Sequence, residues 1–365
     1  MKLTPKTKRN ISRIVPFALI WWLSGWVFIL TDLGLTRNQN LNPETDIAFT
    51  IPVLIFANIA NIIVGLIVGS LEMIYLEKRF TNYSLRGKLF YKFVIYLALF
   101  LILIFVFFPI AFSLETGIGI FTRDAWDKLA RFLGSLTFIN TLFQLSVSLI
   151  LALIYSAISE NLGHQVFLNF FTGKYHKPVV EERIFMFLDM KSSTTIAEKL
   201  GHLNYFKLLQ TYYNTMSDAI IDSLGEVYQY IGDEIVISWK LDKGLKNAHC
   251  IRCFFAMREA LRSNQAKFLE EFGVEIDFKA GIHFGEVTIG EIGALKKEIV
   301  YTGDVLNTTA RIQSQCNSLQ SDLLISGELK NVLPPSNYTF ATKGEIALKG
   351  RNKQEELFSV REANK

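Results

Sequence analysis

The 365-residue chain has little cysteine, with only three residues of this type. Cys250, Cys253 and Cys316 are too few for a disulfide framework, and a cytoplasmic domain would keep them reduced. The run HCIRC, which holds the first two, resembles a metal or redox motif, but the chain has no second ligand pair. Because the run lies in a helical pattern, AHCIRCFFAMREAL, we expect these thiols to pack inside a helix.

The chain also lacks a basic stripe with interleaved aromatic residues. Its formal net charge is +4, from 38 Lys and Arg against 34 Asp and Glu. The residues that flank the apolar segments described next largely explain this small excess. The composition therefore gives no reason to expect nucleic-acid binding.

Four long segments lack charged residues altogether. They lie between Arg13 and Asp32, Asp46 and Glu72, Lys92 and Glu115, and Arg131 and Glu160. Each is mostly apolar and long enough to cross roughly 30 Å of hydrocarbon as a helix. After the last segment, charges recur every few residues. We predict a four-helix transmembrane domain over residues 1–157, a coupling linker over 158–181 and a soluble domain over 182–365.

The basic residues in the short loops predict the orientation in the membrane. They cluster before the first span and between the second and third, at Lys2, Lys6, Lys8, Arg9, Arg13, Lys78, Arg79, Arg86, Lys88 and Lys92. The loops at 32–46 and 113–131 mix acids with fewer bases. By the positive-inside rule, both termini and the soluble domain are cytoplasmic, and the protein lies in the plasma (inner) membrane. In the linker, Pro178 should stop any helix that continues from the fourth span.

The soluble part alternates strand and helix patterns, which predicts an α+β fold with an antiparallel-rich sheet. We expect strands at 183–190, 225–231, 234–239, 274–284, 286–293, 322–325, 337–343 and 355–360, and helices at 194–200, 203–223, about 244–271 and from about Asp304.

Two carboxylates stand at the ends of predicted strands. The run RIFMFLDM contains Asp189 near its end, and YIGDEIVISW contributes Asp233. The run KSST opens a helix directly after the first of these strands. Paired acids beside a helix start indicate a site for divalent metals and a nucleotide triphosphate.

Five motifs occur in order: FLDMKSST, YQYIGDE, AGIHFGEVTIGEIG, YTGDVLNTTAR and ALKG. Together they resemble the catalytic domain of class III nucleotidyl cyclases, over about residues 182–361. The four spans and short linker resemble a recurrent bacterial type of membrane-bound adenylate cyclase. The resemblance implies a ferredoxin-like core, a homodimer, and conversion of ATP to cyclic AMP.

The resemblance also assigns roles to residues. Asp189 and Asp233 match the family's metal-binding aspartates, which hold two Mg²⁺ or Mn²⁺ ions with help from the Met190 carbonyl. The main-chain N–H groups around Ser192, Ser193 and Thr194 would meet the phosphates. The family often has glycine where Ser192 stands.

Asn307 and Arg311 are four residues apart, so they share one face of the helix, which we expect Asp304 to cap. They match the family's ribose-orienting asparagine and transition-state arginine, and Lys349 matches the lysine that holds pyrophosphate. In the family, the metal ligands come from one subunit and this asparagine and arginine from the other.

The base-selecting positions differ from the family's pattern. Adenylate cyclases usually carry lysine, and aspartate or threonine, where this chain has Gln229 and Val300. Glutamine can donate and accept hydrogen bonds, so it can read either purine, whereas valine reads neither. The glutamate and cysteine pair of guanylate cyclases is also absent. We expect ATP as substrate; a guanylate cyclase or a catalytically silent cyclase-like receptor are the alternatives.

Other nucleotide enzymes fit less well. The chain has GDE but lacks the full GGDEF signature of diguanylate cyclases, and it has no GxxxxGK[ST] run of a P-loop hydrolase. The outer loops are short. We therefore expect the input to be a small ligand, a lipid or membrane state, or a partner membrane protein.

Overall fold

A computed structural model describes residues 4–36, 40–76, 79, 85–163, 166–167, 169, 172–335, 337–348 and 354–363. The chain forms two compact units, one over residues 7–168 and one over residues 169–365 together with the first six. The first unit holds the apolar segments. The second holds the alternating strands and helices.

The first unit is helical. Its helices are α1 (Pro5–Thr36), α2 (Ile51–Ser70, continued by a π-helical segment over Leu71–Leu76), α3 (Leu85–Thr116), α4 (Arg123–Leu133) and α5 (Leu136–Leu162). Four candidate spans, Pro5–Thr36, Ile51–Leu76, Phe90–Thr116 and Leu136–Glu160, are long and apolar enough to cross a membrane. The four predicted spans are thus confirmed as apolar helices. Helix α4 was not predicted, because its buried residues are interleaved with charged ones.

The second unit is built on an eight-stranded sheet. Its strands are β1 (Val179–Met190), β2 (Glu226–Ile231), β3 (Glu234–Lys240), β4 (Phe278–Ile292), β5 (Glu298–Thr302), β6 (Leu323–Ser326), β7 (Tyr338–Ile346) and β8 (Glu355–Glu362). The order is β2-β3-β1-β4-β6-β8-β7, with β5 paired to β4. Only the β4–β6 pair is parallel among the described strands. The expected α+β fold with an antiparallel-rich sheet is confirmed.

The helices of this unit are α6 (Ser193–Asp222), α7 (Leu241–Leu245, followed by a 3₁₀ turn over Lys246–Ala248), α8 (His249–Ser263), α9 (Gln265–Phe272), α10 (Asp304–Ser314) and α11 (Gly327–Val332). Within α6, Gly201 has a positive φ of 68° and leaves the helical conformation. This confirms the predicted break between the helices at 194–200 and 203–223. Cys250 and Cys253 are fully buried in α8, as expected.

The prediction of one long helix over about 244–271 was wrong. Asn247 and Ala248 have positive φ angles of 53° and 47°, so α8 begins only at His249. At the other end Asn264 separates α8 from α9, and its side-chain amide donates to the Ala260 carbonyl over 2.8 Å. Asparagine competes locally for backbone hydrogen bonds, which interrupts a pattern that hydrophobic periodicity reads as continuous.

The two strands expected at 274–284 and 286–293 are one strand, β4. It pairs with β1 without interruption from Met190↔Phe278 to Val179↔Ile289. It starts later than predicted because the Gln265 side chain pairs with the backbone of Ile276, donating to its carbonyl over 2.6 Å. A long strand partner therefore overrode the break that the sequence pattern suggested.

The described residues form three hydrophobic cores against the sheet. The largest lies against α6 and α8. Another, called here the second core, consists of Tyr175, Phe185, Phe187, Val236, Val287, Ile289 and Val305 with their partly buried neighbours Tyr228 and Tyr301. The third consists of Ile312, Cys316, Leu324, Leu348 and Leu357. Strand β5 lies on the side of β4 away from β1, because Thr288 pairs with both Val180 and Thr302.

Candidate functional site

Strand register brings the two predicted metal carboxylates together. Leu188 of β1 pairs with Ile235 of β3, so Asp189 lies opposite the next residue, Glu234. The turn between β2 and β3 has only two residues, and its glycine, Gly232, has a positive φ of 63° that a short hairpin of this kind requires. Asp233 therefore stands beside Asp189 at one end of the sheet.

These carboxylates have an excess of negative charge. Burial and the neighbouring Asp233 raise the pKa of Asp189. Burial, with Asp189 and Asp233, raises the pKa of Glu234 to about 6. Within the described chain, Lys279 is the one cation in ion-pair range, with its Nζ 3.4 Å from Asp189 Oδ2. One lysine does not balance this group of acids.

The arrangement fits a divalent cation. Asp233 Oδ2 is buried and has no hydrogen-bond partner among the described residues, so one carboxylate oxygen is left for an external ligand. The residues that the structure describes contain no cluster of three His, Cys, Asp or Glu side chains arranged for a metal. A hard cation here would need further oxygen ligands, for which the Met190 carbonyl and a phosphate are suitable chemical types.

The predicted phosphate loop is a helix start. Met190 ends β1 and α6 begins at Ser193. Between them, Ser192 is the N-cap in the left-handed conformation, with φ 56° and ψ 26°, and its side chain makes no capping hydrogen bond. This conformation suits glycine, which has no Cβ atom to clash with the backbone. The N–H groups of the first turn, at Ser193 and Thr194, lack intrahelical acceptors and suit an anion.

The start of α10 differs from the prediction that Asp304 caps it. Gly303 is the N-cap and Asp304 is the first helical residue. A Cβ atom on Gly303 would lie 2.9 Å from the Glu286 carbonyl oxygen. Close packing on β4 thus selects glycine for the cap position, and Asp304 follows it by one residue.

Helix α10 turns two faces in different directions. Its buried face includes Val305, Thr309 and Gln313, and the Gln313 side-chain amide donates to Asp189 Oδ2 over 3.3 Å. Asn307 is exposed and Arg311 is half-buried. At about 100° per residue, both lie roughly 120–160° around the helix from Gln313. Within one chain, therefore, Asn307 and Arg311 do not lie on the face of α10 that contacts Asp189.

The two positions predicted to select the base lie on β2 and β5. Gln229 is exposed and Val300 is partly buried. Their chain neighbours Tyr228 and Tyr301 stack with ring centres 4.5 Å apart, and the Tyr301 N–H donates to the Tyr228 hydroxyl over 3.3 Å. The two strands therefore meet beside these positions. Lys349, the predicted pyrophosphate lysine, lies outside the described residues.

Four residues near the carboxylates were missed from the sequence. They are Tyr205, Glu234, Lys279 and Gln313. Gln313 could have been found from the sequence, because it is a polar residue on the apolar face of α10. Lys279 could not, because only the strand register Asp189↔Lys279 shows that it lies beside the acids. Burial and Asp233 raise the pKa of Tyr205, which places its hydroxyl in the field of the acids.

Comparison with known proteins relates the second unit to nucleotide cyclases. A family model, the adenylate and guanylate cyclase catalytic domain, matches residues 176–361. Adenylate cyclase 2 of Rhizobium meliloti (strain 1021) is 36% identical over 204 residues, which are 56% of this chain and 56% of that protein. Guanylyl cyclase C of Homo sapiens is 27% identical over 187 residues, 50% of this chain and 17% of that protein.

The chain thus spans little more than half of the first relative's length and less of the second's. A solved structure of a bacterial light-regulated adenylyl cyclase has a TM-score of 0.53 and 22% identity, covering 60% of this chain and 65% of that one. That likeness concerns the fold. Since the family match covers just over half of the chain, the protein belongs to the family of adenylate and guanylate cyclase catalytic domains, with four apolar helices preceding the domain.

Proposed function

We propose that this protein is a membrane-bound adenylate cyclase that converts ATP into 3′,5′-cyclic AMP and pyrophosphate. The observation that carries the proposal is the pair Asp189 and Asp233, whose negative charge Lys279 compensates only in part and whose Asp233 Oδ2 lacks a hydrogen-bond partner among the described residues. The similarity to a protein named adenylate cyclase 2 supports ATP as the substrate.

Asp189, Asp233 and the Met190 carbonyl are the groups that would hold two Mg²⁺ or Mn²⁺ ions per site. When bound, such ions lower the pKa of the ribose 3′-hydroxyl and neutralise the triphosphate for in-line attack on the α-phosphorus. The N–H groups of Ser193 and Thr194 bind phosphate oxygens at the start of α6. Lys279 balances part of the charge of Asp189 before substrate arrives.

The remaining groups come from a second copy of the chain. Asn307 and Arg311 face away from the residue of α10 that touches Asp189, so a homodimer supplies them to the partner's carboxylates. Asn307 then orients the ribose, and Arg311 stabilises the charge that accumulates on the α-phosphoryl oxygens. Lys349 holds the leaving pyrophosphate. Each dimer would contain two equivalent sites.

Guanylate cyclase is the second candidate function. It is favoured by the exposed amide of Gln229, which both donates and accepts hydrogen bonds, and by the similarity to guanylyl cyclase C. If Gln229 contacts the base, the double variant Gln229→Lys with Val300→Asp should raise the ratio of ATP to GTP use. An unchanged ratio in an active double variant would show that the base is read elsewhere.

We further infer that both termini and the catalytic unit are cytoplasmic in the plasma (inner) membrane. The basic residues before the first span and in the loop between the second and third support this orientation. The membrane helices would then receive an input from a small ligand, the lipid or a partner membrane protein. Residues 158–181 would carry it as the linker between a membrane part at 1–157 and a catalytic part at 182–365.

The direct test uses the full chain in lipid nanodiscs with Mg²⁺ or Mn²⁺. Chromatographic identification of the product from ATP and from GTP decides the reaction. Cyclic AMP made faster than cyclic GMP supports the proposal. No cyclic product from either nucleotide, in a folded dimeric sample, would leave a silent cyclase-like receptor as the better reading.

Coexpression of two inactive variants tests the shared site. Asp233→Ala and Arg311→Ala should each be inactive alone, but a mixed dimer keeps one site with both groups intact. Random pairing makes about half of the dimers mixed, so activity should recover to about a quarter of that of the unchanged protein. No recovery, with mixed dimers shown to form, would mean that both residues serve the same site from one chain.

A further inference from the structure

Arg183 is buried inside the second core, with 1% of its surface exposed. Its Nη1 lies 3.1 Å from Glu181 Oε2, and its Nη2 donates to Glu226 Oε2 over 2.6 Å and to Ser238 Oγ over 2.9 Å. The guanidinium carbon lies 5.1 Å from the centre of the Tyr301 ring. One side chain therefore contacts β2, β3 and β5, and a second residue of its own strand β1.

Strands β2 and β5 are not neighbours in the sheet. Strands β3, β1 and β4 separate them, yet Tyr228 and Tyr301 meet across the second core. Val227 pairs with Ile237 and Gln229 with Val236, so Tyr228 is an extra residue at a bulge. A bulge redirects side chains locally. Arg183 lies against this contact and binds Glu226 at the start of β2.

The same cluster includes the segment that precedes β1. Glu181 accepts hydrogen bonds from Lys174 Nζ over 3.0 Å and from the Tyr175 hydroxyl over 3.2 Å. Tyr175 is 2% exposed, and its carbonyl accepts from the N–H of Glu291 over 3.2 Å. The end of the linker is therefore bonded to the acid that also holds Arg183.

A buried ion cluster is a poor device for stability alone, because well-packed apolar side chains of similar volume often serve as well or better. Arginine does differ in geometry, since its planar group binds several acceptors in fixed directions. Here the acceptors Glu181, Glu226 and Ser238 belong to β1, β2 and β3, and the Tyr301 ring under the guanidinium belongs to β5. Strand β2 carries Gln229 and β5 carries Val300. The cluster thus fixes the relative positions of the strands beside the base-selecting residues.

We propose that Arg183 is a positioning residue that fixes the position of β2 relative to β5 across the second core. It thereby sets how Gln229 and Val300 meet the nucleotide base. The part that concerns the base rests on the proposed function. Displacement of Lys174 and Tyr175 would reach the same strands through Glu181, which gives the linker a direct contact with this cluster.

The test compares Arg183→Lys with Arg258→Lys in the full chain. Arg258 is a matched control, because it also pairs with two acids, Asp322 at 2.8 Å and Asp277 at 4.0 Å, and also lies over an aromatic ring, Phe254. Lysine keeps the charge in both variants and removes the planar group. Both variants should lower the thermal midpoint.

Only Arg183→Lys should change nucleotide choice. We expect the ratio of kcat/KM for ATP to that for GTP to change by about threefold or more, mainly through KM, with the ratio in Arg258→Lys unchanged. Hydrogen exchange at the amides of 226–231 and 298–302 should accelerate only in Arg183→Lys. Glu226→Gln, which keeps Arg183, Glu181 and Ser238, repeats the comparison if Arg183→Lys does not fold.

Equal loss of stability in both variants, with unchanged ratios and exchange rates, would reduce Arg183 to a structural residue and overturn the proposal. If the unchanged protein makes no cyclic nucleotide, the proposed function fails instead. Amide exchange then decides by itself whether Arg183 holds β2 and β5 together, since that measurement needs no activity.

Discussion

Strand β1 carries one buried and one partly buried charge cluster, which differ in how their charges are balanced. Arg183 has two carboxylates, a hydroxyl and an aromatic ring around its guanidinium. Asp189, six residues further along the same strand, has a second carboxylate beside it and one lysine at 3.4 Å. The charge of the first cluster is paired within the chain, although the buried Arg183 Nε has no acceptor among the described residues. The second cluster has an excess of negative charge.

The difference indicates that Arg183 serves the fold, whereas Asp189 and Asp233 are suited to bind a ligand. Burying an ion is costly unless it is paired and hydrogen-bonded, so a fold tolerates Arg183 because its partners are in place. A like-charge pair with the orphaned oxygen of Asp233 lowers stability in the absence of a ligand. Its position at a strand end, beside a helix start, is consistent with a partner that arrives from outside the chain.

The largest expected effect comes from breaking the balanced cluster. Arg183→Met should destabilise the catalytic unit by about 3–5 kcal/mol, because it removes the cation that Glu226 pairs with and leaves Glu181 with Lys174 alone. Adding Glu181→Gln and Glu226→Gln should recover most of that loss, since no buried charge is then left unpaired. Denaturant unfolding of the three proteins measures this. Equal stability of Arg183→Met and the unchanged protein would show that the cluster is not held as tightly as its distances indicate.

Asp233→Asn tests the unbalanced cluster and should act in opposite directions on activity and stability. If Asp233 holds a metal ion as proposed, this substitution should lower the rate by about a hundredfold or more. Without metal, the thermal midpoint should rise by about 3 °C, because the repulsion with Asp189 is removed.

Asp277→Asn is the control for this variant, since Asp277 already has a cation, with Lys191 Nζ at 2.6 Å. Loss of the Asp277 charge should leave the thermal midpoint unchanged or lower it. A fall of the midpoint in Asp233→Asn of the same size as in the control would mean that the metal carboxylates are balanced after all.

The pH dependence of stability and of metal binding should also reveal the excess negative charge around Asp189 and Asp233. Glu234 has its pKa raised from 4.5 to about 6, so the folded protein keeps its proton where the unfolded chain has lost it. The contribution of Glu234 to the stability of the metal-free protein should therefore fall as pH rises from 4.5 to about 6, and then level off. Metal affinity should rise over the same window, by up to about tenfold per pH unit.

Thermal unfolding and Mn²⁺ binding, measured from pH 4.5 to 7, check both trends. Glu234→Gln should remove the part of the pH dependence that this group contributes. The raised pKa would be contradicted if the stability difference between the unchanged protein and Glu234→Gln, both free of metal, moved in favour of the unchanged protein as pH rises through this window.

The smallest expected effect concerns the backbone beside the carboxylates. Ser192 has a left-handed φ of 56°, so Ser192→Gly should stabilise the catalytic unit by up to about 1 kcal/mol. Ser193→Gly, one residue later in the helical region, should destabilise it by a similar amount. Thermal midpoints of the two variants check the signs. Destabilisation by glycine at both positions would show that the serine side chain has a role of its own.

Much of the fold was predictable because its signals are local. The four apolar helices follow from stretches without charge, and the strands that end beside Asp189 and Asp233 follow from their residue pattern. The predictions failed where a distant partner decided the outcome. Strand β4 is continuous because β1 pairs with it along its length, and α8 and α9 are separate because Asn264 bonds backwards to Ala260.

The sequence by itself determined which residues have the right chemistry: two acids at strand ends, an unusual Ser192 before a helix, and Asn307 and Arg311 on one helical face. Helical and strand periods repeat over a few residues, so these arrangements need no tertiary information. Only the tertiary structure decided that Asp189 and Asp233 share a site with excess negative charge. It also decided that Arg183 is paired with acids from its own chain. Finally, it decided that Asn307 and Arg311 lie on a different face of α10 from Gln313, the residue that contacts Asp189. Charge balance depends on strand register between distant segments, and no local pattern encodes which side chains that register brings together.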